Sequence, residues 1–307
     1  MKNDGEAIAT RIRGRSKVLD YIELTKPELT GLSVLTALCG FYLASTSVDA
    51  LLLLWTALGT FLVGGGAGAL NQLVERNHDA LMKRTERRPL PAGRLTPSQV
   101  ASFGISSALV GVALLVLVVN PLTGALGILT LVSYLFLYTP SKRFTQHSTL
   151  VGAIPGALPP VMGWTAASNE INTGTWVLFG ILFFWQMPHF LSLAWMYRKD
   201  YARAGYRMLT IFDEHGIRTS RHILVHCILL VSISLAATVI GLTGWMYAAG
   251  AVILGTGFLT VSFLFLKYSQ QTSGDSSMKA NKSSRQIFFA SLLYLPALMF
   301  LMTVDKI

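Results

Sequence analysis

Residues 51–71, LLLLWTALGTFLVGGGAGALN, run without a charged side chain and lead directly into 72–79, QLVERNHD, where four of eight residues are ionisable. A hydrocarbon core of ~30 Å is crossed by roughly 20 apolar residues in a helix. The first part therefore reads as a membrane span, and the second as the same helix emerging at a polar face. If one stretch spans, the chain is membrane-embedded, and its backbone polarity must be satisfied by helices.

Working outward, eight more stretches qualify or come close, giving about nine spans near 29–46, 51–71, 100–119, 122–138, 150–167, 176–196, 223–240, 245–266 and 287–304. Only 13% of the 307 residues are charged, against roughly 25% for a soluble chain, so water is not the main solvent. Apolar runs recur from Leu29 to Met302, which predicts one membrane domain over 27–307 preceded by a polar segment, 1–26. That segment carries Arg11, Arg13, Arg15 and Lys17 but no short apolar run with a small-residue cleavage site, so it does not read as a cleaved signal.

Positive charge fixes the orientation, because loops retained inside keep Lys and Arg while translocated loops shed them. Of the 25 Lys and Arg, 24 fall in the N-terminal segment and in the loops after spans two, four, six and eight. The alternate loops hold none, and Lys306 follows the last span. The N-terminus is expected inside and the C-terminus outside, with an odd number of spans, or seven if one hairpin is re-entrant. A net charge of +10 here suits topology and anionic lipid headgroups, not nucleic acid. Cys39 and Cys227 sit within apolar runs and read as small buried hydrophobes.

Asn71, Glu75 and Asp79 are spaced by four, so on a helix they form one slowly turning stripe with steps of ~6 Å. Hard cations such as Mg²⁺ take carboxylate and carbonyl oxygen together with substrate phosphate. The competing reading is a solvated helix end whose acids pair with Arg76, Lys83 and Arg87. The sequel, MKRTERRPLP from Met82 to Pro91, favours the first, since cations beside metal-binding acids suit a phosphorylated substrate. Lys142 and Arg143 are the basic residues of the short loop after span four. Gly152, Pro155, Gly156, Pro159, Pro160 and Gly163 crowd one span, predicting a broken helix along a cavity, with close helix packing as the alternative. In span six, Trp185-Gln186-Met187-Pro188-His189 puts polar groups beside a proline at membrane depth, followed by Tyr197, Asp200 and Tyr201.

With Leu24-Thr25-Lys26-Pro27, the Asn71/Glu75/Asp79 stripe with Met82 and Arg84-Thr85, the Tyr138 to Arg143 run, and the Gly152–Trp164 and Trp185–His189 blocks in place, the chain resembles the UbiA superfamily of intramembrane prenyltransferases. The last two blocks resemble its heme-farnesylating branch, and the likeness runs from about Tyr21 to Met302. Position 75 is Glu where such proteins often have Asp, and the second acidic motif reduces to Asp200.

The resemblance implies an all-α integral membrane fold of nine helices around an intramembrane cavity, in a bacterial inner membrane. It implies transfer of farnesyl from farnesyl diphosphate to a vinyl group of protoheme (heme B), giving heme O for heme-copper oxidase assembly, with heme A synthase or oxidase assembly proteins as partners. It assigns Mg²⁺ to Asn71, Glu75, Asp79 and Asp200, the catalytic set, diphosphate to Arg84, Arg88, Lys142 and Arg143, and heme to Trp185 and His189. A prenyltransferase acting on another aromatic or quinone precursor, and a heme-binding or transport protein without catalysis, are the alternatives.

Overall fold

A computed structural model of the protein describes residues 16–271 and 274–307, with side chains from 278 onward in the last segment. The cations at Arg11, Arg13 and Arg15 lie outside the described residues. A short helix, α1 (Lys17–Leu24), leads into the bundle. The first half then runs α2 (Pro27–Ala44), α3 (Ala50–Asp79), α4 (Pro97–Leu114), α5 (Pro121–Val132) and α6 (Thr139–Phe144). The second half runs α7 (Ser148–Ser168), α8 (Thr173–Met196), α9 (Arg198–Arg203), α10 (Ile217–Val239), α11 (Trp245–Ser269) and α12 (Gly274–Val304). Among the described residues, 9 helices are long and apolar enough to cross a membrane, as the sequence predicts.

Two expectations change. The fourth span does not stop at Tyr138: a π-helical stretch, Ser133–Tyr138, joins α5 to α6, so Lys142 and Arg143 stand on a helix and not in a loop. Pro140 lies in the first turn of α6, where its missing N–H would have no intrahelical partner anyway. Nor is α7 broken, despite Pro155, Pro159 and Pro160. The prolines free the carbonyls four residues earlier, those of Val151, Pro155 and Gly156, and the helix runs on through them because α2 and α8 pack closely along it. Gln186 of α8 also donates to the Ala153 carbonyl at 3.1 Å.

The small residues of α7 serve close packing instead. A Cβ at Gly163 would collide with the Ala37 carbonyl, and one at Gly40 with that of Pro160, so α2 and α7 touch backbone to backbone. Gly66 and Gly111 do the same for α3 against α4. Along α8 and α12 the contacts are polar: Trp195 donates to Asn281 at 2.9 Å, Ser284 to the Ser192 carbonyl at 3.1 Å, and Trp185 to the Ser291 carbonyl at 2.8 Å.

The helix ends at the face away from Glu75 and Asp79, the outer face in the expected orientation, are capped one by one. Asp49 accepts from the Leu51 and Leu52 amides at 2.9 and 3.0 Å, and Asn120 from the Thr123 amide at 2.8 Å. Near the C-terminus, Asp305 accepts from the Tyr247 amide at 2.6 Å, while Lys306 donates to the carbonyls of Tyr42 and Ser45. At the inner end, the turns after α3 are pinned to α1 by Arg94, 2.7 Å from Asp20 and 3.1 Å from Glu23.

Candidate active site

The inner third of α3 carries Asn71, Glu75 and Asp79, all buried to 3% exposure or less although two are ionisable. A carboxylate this deep needs a partner. Each oxygen donor in the row has one from elsewhere in the chain. Lys26 Nζ donates to Asn71 Oδ1 at 2.7 Å, Lys142 Nζ to both Glu75 oxygens at 2.8 and 3.1 Å, and Arg88 to Asp79 Oδ2 at 2.7 Å. None of these is Arg76, Lys83 or Arg87, so the solvated helix end is not what forms.

Local structure explains how these cations reach the row. Lys26 joins α1 to α2 in the left-handed region, φ 50°, at a cost of about 1–3 kcal/mol for a non-glycine residue. At Gly68 a Cβ would lie 3.2 Å from the Leu24 carbonyl, so the glycine lets the end of α1, and with it Lys26, sit close against α3. Burial, then the neighbouring Arg88 and Lys142, bring the Lys26 ammonium pKa down to about 7. On the opposite wall, Tyr134, Tyr138 and Lys142 are themselves spaced by four. Thr139 accepts from Asn71 Nδ2 at 3.0 Å, and the Tyr134 hydroxyl lies 3.4 Å from Lys26 Nζ. The Lys142 ammonium sits 4.5 Å from the Tyr138 ring centre, a cation–π contact. That ring rests where Gly152 of α7 has no side chain.

The turns after α3 and the segment after α8 meet over this row. Met82 packs with Ala194, Ala204, Tyr206 and Met208. His78 stacks on Tyr206 with ring centres 5.4 Å apart. Burial, then the Glu75 carboxylate, push the Tyr206 phenol above its usual range. Arg84 is exposed and lies 5.5 and 5.9 Å from the rings of Tyr197 and Tyr201. Among the described residues, four buried atoms here lack a hydrogen-bond partner: Asp79 Oδ1, His78 Nδ1, Arg143 Nε and the Tyr206 hydroxyl. Unpaired buried polar atoms are costly, and a concentration of them marks a place where a ligand supplies the missing partners.

Asn71, Glu75, Asp79, Arg88 and Lys142 are therefore brought together, with Arg84 and Arg143 at the margin. Asp200 is not: its carboxylate pairs with Arg203 at 3.1 Å on its own short helix, and α9 reaches the site through Tyr201 instead. Among the described residues no three acidic, histidine or cysteine side chains converge as a ready metal cage. Two carboxylates and an amide still fit Mg²⁺, which is usually bound by one or two carboxylates together with substrate phosphate oxygens, and Asp79 Oδ1 is a buried oxygen awaiting a cation. Trp185 and His189 lie apart from this row, in the seam between α8 and α12, with His189 stacked 4.9 Å from Trp185 and 5.0 Å from Phe288.

The sequence reading assigned no part in the site to Thr139, Tyr134, Tyr138, Tyr206 and His78, and quoted Lys26 only within a motif. The four-residue spacing of Tyr134, Tyr138 and Lys142, the same as in the acidic stripe, was the available signal.

Comparison with known proteins agrees with the helical membrane fold. Protoheme IX farnesyltransferase of Salinibacter ruber is 46% identical over 287 residues, covering 93% of this chain and 98% of that one. A solved digeranylgeranylglyceryl phosphate synthase superposes with a TM-score of 0.76 at 16% identity, covering 94% of this chain and 99% of that one. A UbiA homologue from Archaeoglobus fulgidus bound to GPP and Mg²⁺ superposes at 0.62 with 12% identity, covering 90% and 99%. These two establish the helical fold. Residues 33–293 match the UbiA prenyltransferase family, and the chain belongs to it.

Proposed function

We propose that this protein transfers the farnesyl group of farnesyl diphosphate to a vinyl carbon of protoheme, the activity for which its Salinibacter relative is named. The observation that carries the proposal is the buried row of Asn71, Glu75 and Asp79, held by three cations from distant elements and containing an unpartnered carboxylate oxygen.

The reaction breaks the C1–O bond of an allylic diphosphate, and the departing group takes the electron pair. Charge on that group is the largest electrostatic demand, and donors fixed in advance where charge develops are the most effective answer to it. Mg²⁺ held by Asn71, Glu75 and Asp79 would supply Lewis acidity toward the diphosphate. Lys26, Lys142 and Arg88 now neutralise the oxygen row, and with diphosphate present they turn from protein oxygens to phosphate oxygens. Arg84 and Arg143 flank the same space. The aromatic wall of Tyr134 and Tyr138 faces the allylic carbocation with ring electrons and excludes stray water. The vinyl group's π electrons form the new C–C bond. Water captures the resulting cation at the porphyrin side and loses a proton, giving the hydroxyethylfarnesyl substituent.

Both substrates are lipophilic, so the bilayer delivers them. The positive-inside pattern supports a reading in which this end lies at the cytoplasmic face of a bacterial inner membrane, N-terminus inside and C-terminus outside. Heme A synthase or oxidase assembly proteins would take up the product. Incubation of purified protein with Mg²⁺, heme and farnesyl diphosphate should yield a heavier, more hydrophobic heme by liquid chromatography and mass spectrometry. A protein that leaves heme unchanged but prenylates a hydroxybenzoate would overturn the assignment.

A further inference from the structure

The seam between α8 and α12 determines which nitrogen of His189 carries the proton. Ser291 Oγ lies 2.6 Å from the Phe288 carbonyl oxygen, and two oxygens at that distance need a proton between them. The single hydroxyl hydrogen of Ser291 is thereby committed to Phe288. Toward His189 Nδ1, 2.8 Å away, the same Oγ presents only lone pairs, so Nδ1 is the protonated nitrogen and donates. Nε2 is then an unprotonated lone-pair donor, and the hydrogen bond of this ring among the described residues is the one at Nδ1. The ring is also held in orientation. It lies between Trp185, 18° from parallel, and Phe288, 29° from parallel, and Trp185 is itself tied to the Ser291 carbonyl.

A nitrogen presenting a lone pair ligates a metal but cannot donate a hydrogen bond to a carboxylate. We infer that His189 binds the porphyrin substrate through its iron, by Nε2, and not through a propionate, and that Ser291 is the positioning residue that fixes this tautomer. The inference rests on the reading that the acceptor is heme. An Nδ1–H donated to a fixed oxygen is the usual outer-shell arrangement of a metal-ligating histidine, where it orients the ring and raises ligand basicity. Iron ligation would also set the depth of the macrocycle in the membrane, because α8 fixes the ring along its axis.

The test uses the full chain in lipid nanodiscs, titrated with iron protoporphyrin and with the iron-free porphyrin. Iron ligation predicts a Soret shift typical of histidine coordination and tighter binding of the iron form than of the iron-free form. His189→Gly should lose the shift and regain it with added imidazole, which separates a lost ligand from a misfolded protein. Ser291→Ala should keep the coordinated spectrum with affinity about tenfold lower, and Ser291→Thr should restore it. Equal affinity for both porphyrins, or a His189→Gly spectrum like that of the wild type, overturns the inference. If that result came with intact farnesylation of heme, only the ligation would fall; if the wild type bound neither porphyrin and made no product, the heme reading itself would fall.

Discussion

The inner and outer ends of this bundle use charge in opposite ways. At the outer face Asp49, Asp305 and Lys306 each bind backbone at a helix end: the acids take free amides and the lysine takes free carbonyls. These contacts close the fold, and each pairs a charge with backbone and not with another charge. At the inner face the charged side chains bind one another, across 67 residues from Lys142 to Glu75 and 9 from Arg88 to Asp79, and leave polar atoms unsatisfied. A helix cap is a finished interaction. A row of buried acids held by displaceable cations is prepared to exchange partners, and that difference separates scaffold from site.

The largest effect expected from breaking the contrast is removal of divalent cation. Chelation should abolish farnesyl transfer while melting in detergent stays unchanged, as no outer-face contact involves a metal; Mg²⁺ readdition with a product assay checks it. Asp79→Asn keeps the shape but not the charge, and should lower turnover by roughly 10²–10³-fold, the scale for losing one electrostatic contact to a transition state. Lys142→Met leaves Glu75 as an unpaired buried charge and should destabilise by about 3–5 kcal/mol in denaturation of the purified protein. Adding Glu75→Gln should recover much of that stability without recovering turnover, which distinguishes folding from chemistry. On the outer face Asp305→Ala should cost only about 1 kcal/mol, the usual value of an N-cap, with activity retained. Lys306→Ala should cost less still, about 0.3–1 kcal/mol as for a cation at a helix C-terminus. If Lys306→Ala abolished turnover, the division into two kinds of charge would be wrong.

How far the sequence could be read follows from range. The helix from Ala50 to Asp79 was legible because apolar length is a local property, and its acidic stripe because four-residue spacing on a helix needs no knowledge of the rest of the chain. The π-helical join before α6 was not legible. The extra residue in its turns is tolerated through packing, and nothing in SYLFLY announces it. The unbroken α7 was not legible for a related reason: proline's cost in a helix depends on how closely neighbouring helices pack around it, and Gly156 and Gly163 show that α8 and α2 press directly on this one.

For the site the division is sharper. Composition, spacing and the one-sided distribution of Lys and Arg determined that this is a multi-span helical membrane protein with an oxygen-bearing stripe amid cations. Only the tertiary structure decided which cation meets which oxygen. It joined Lys26 to Asn71 over 45 residues, set Lys142 and not Arg76 on Glu75, held Asp200 back on its own helix, and turned His189 toward Ser291. The physical reason is that periodicity encodes the face a side chain takes on its own helix, whereas the partner across the gap is chosen by how closely two helices approach. In this chain that approach is set by glycines such as Gly163 and Gly152, whose role is visible only once the neighbouring Ala37 and Tyr138 are in place.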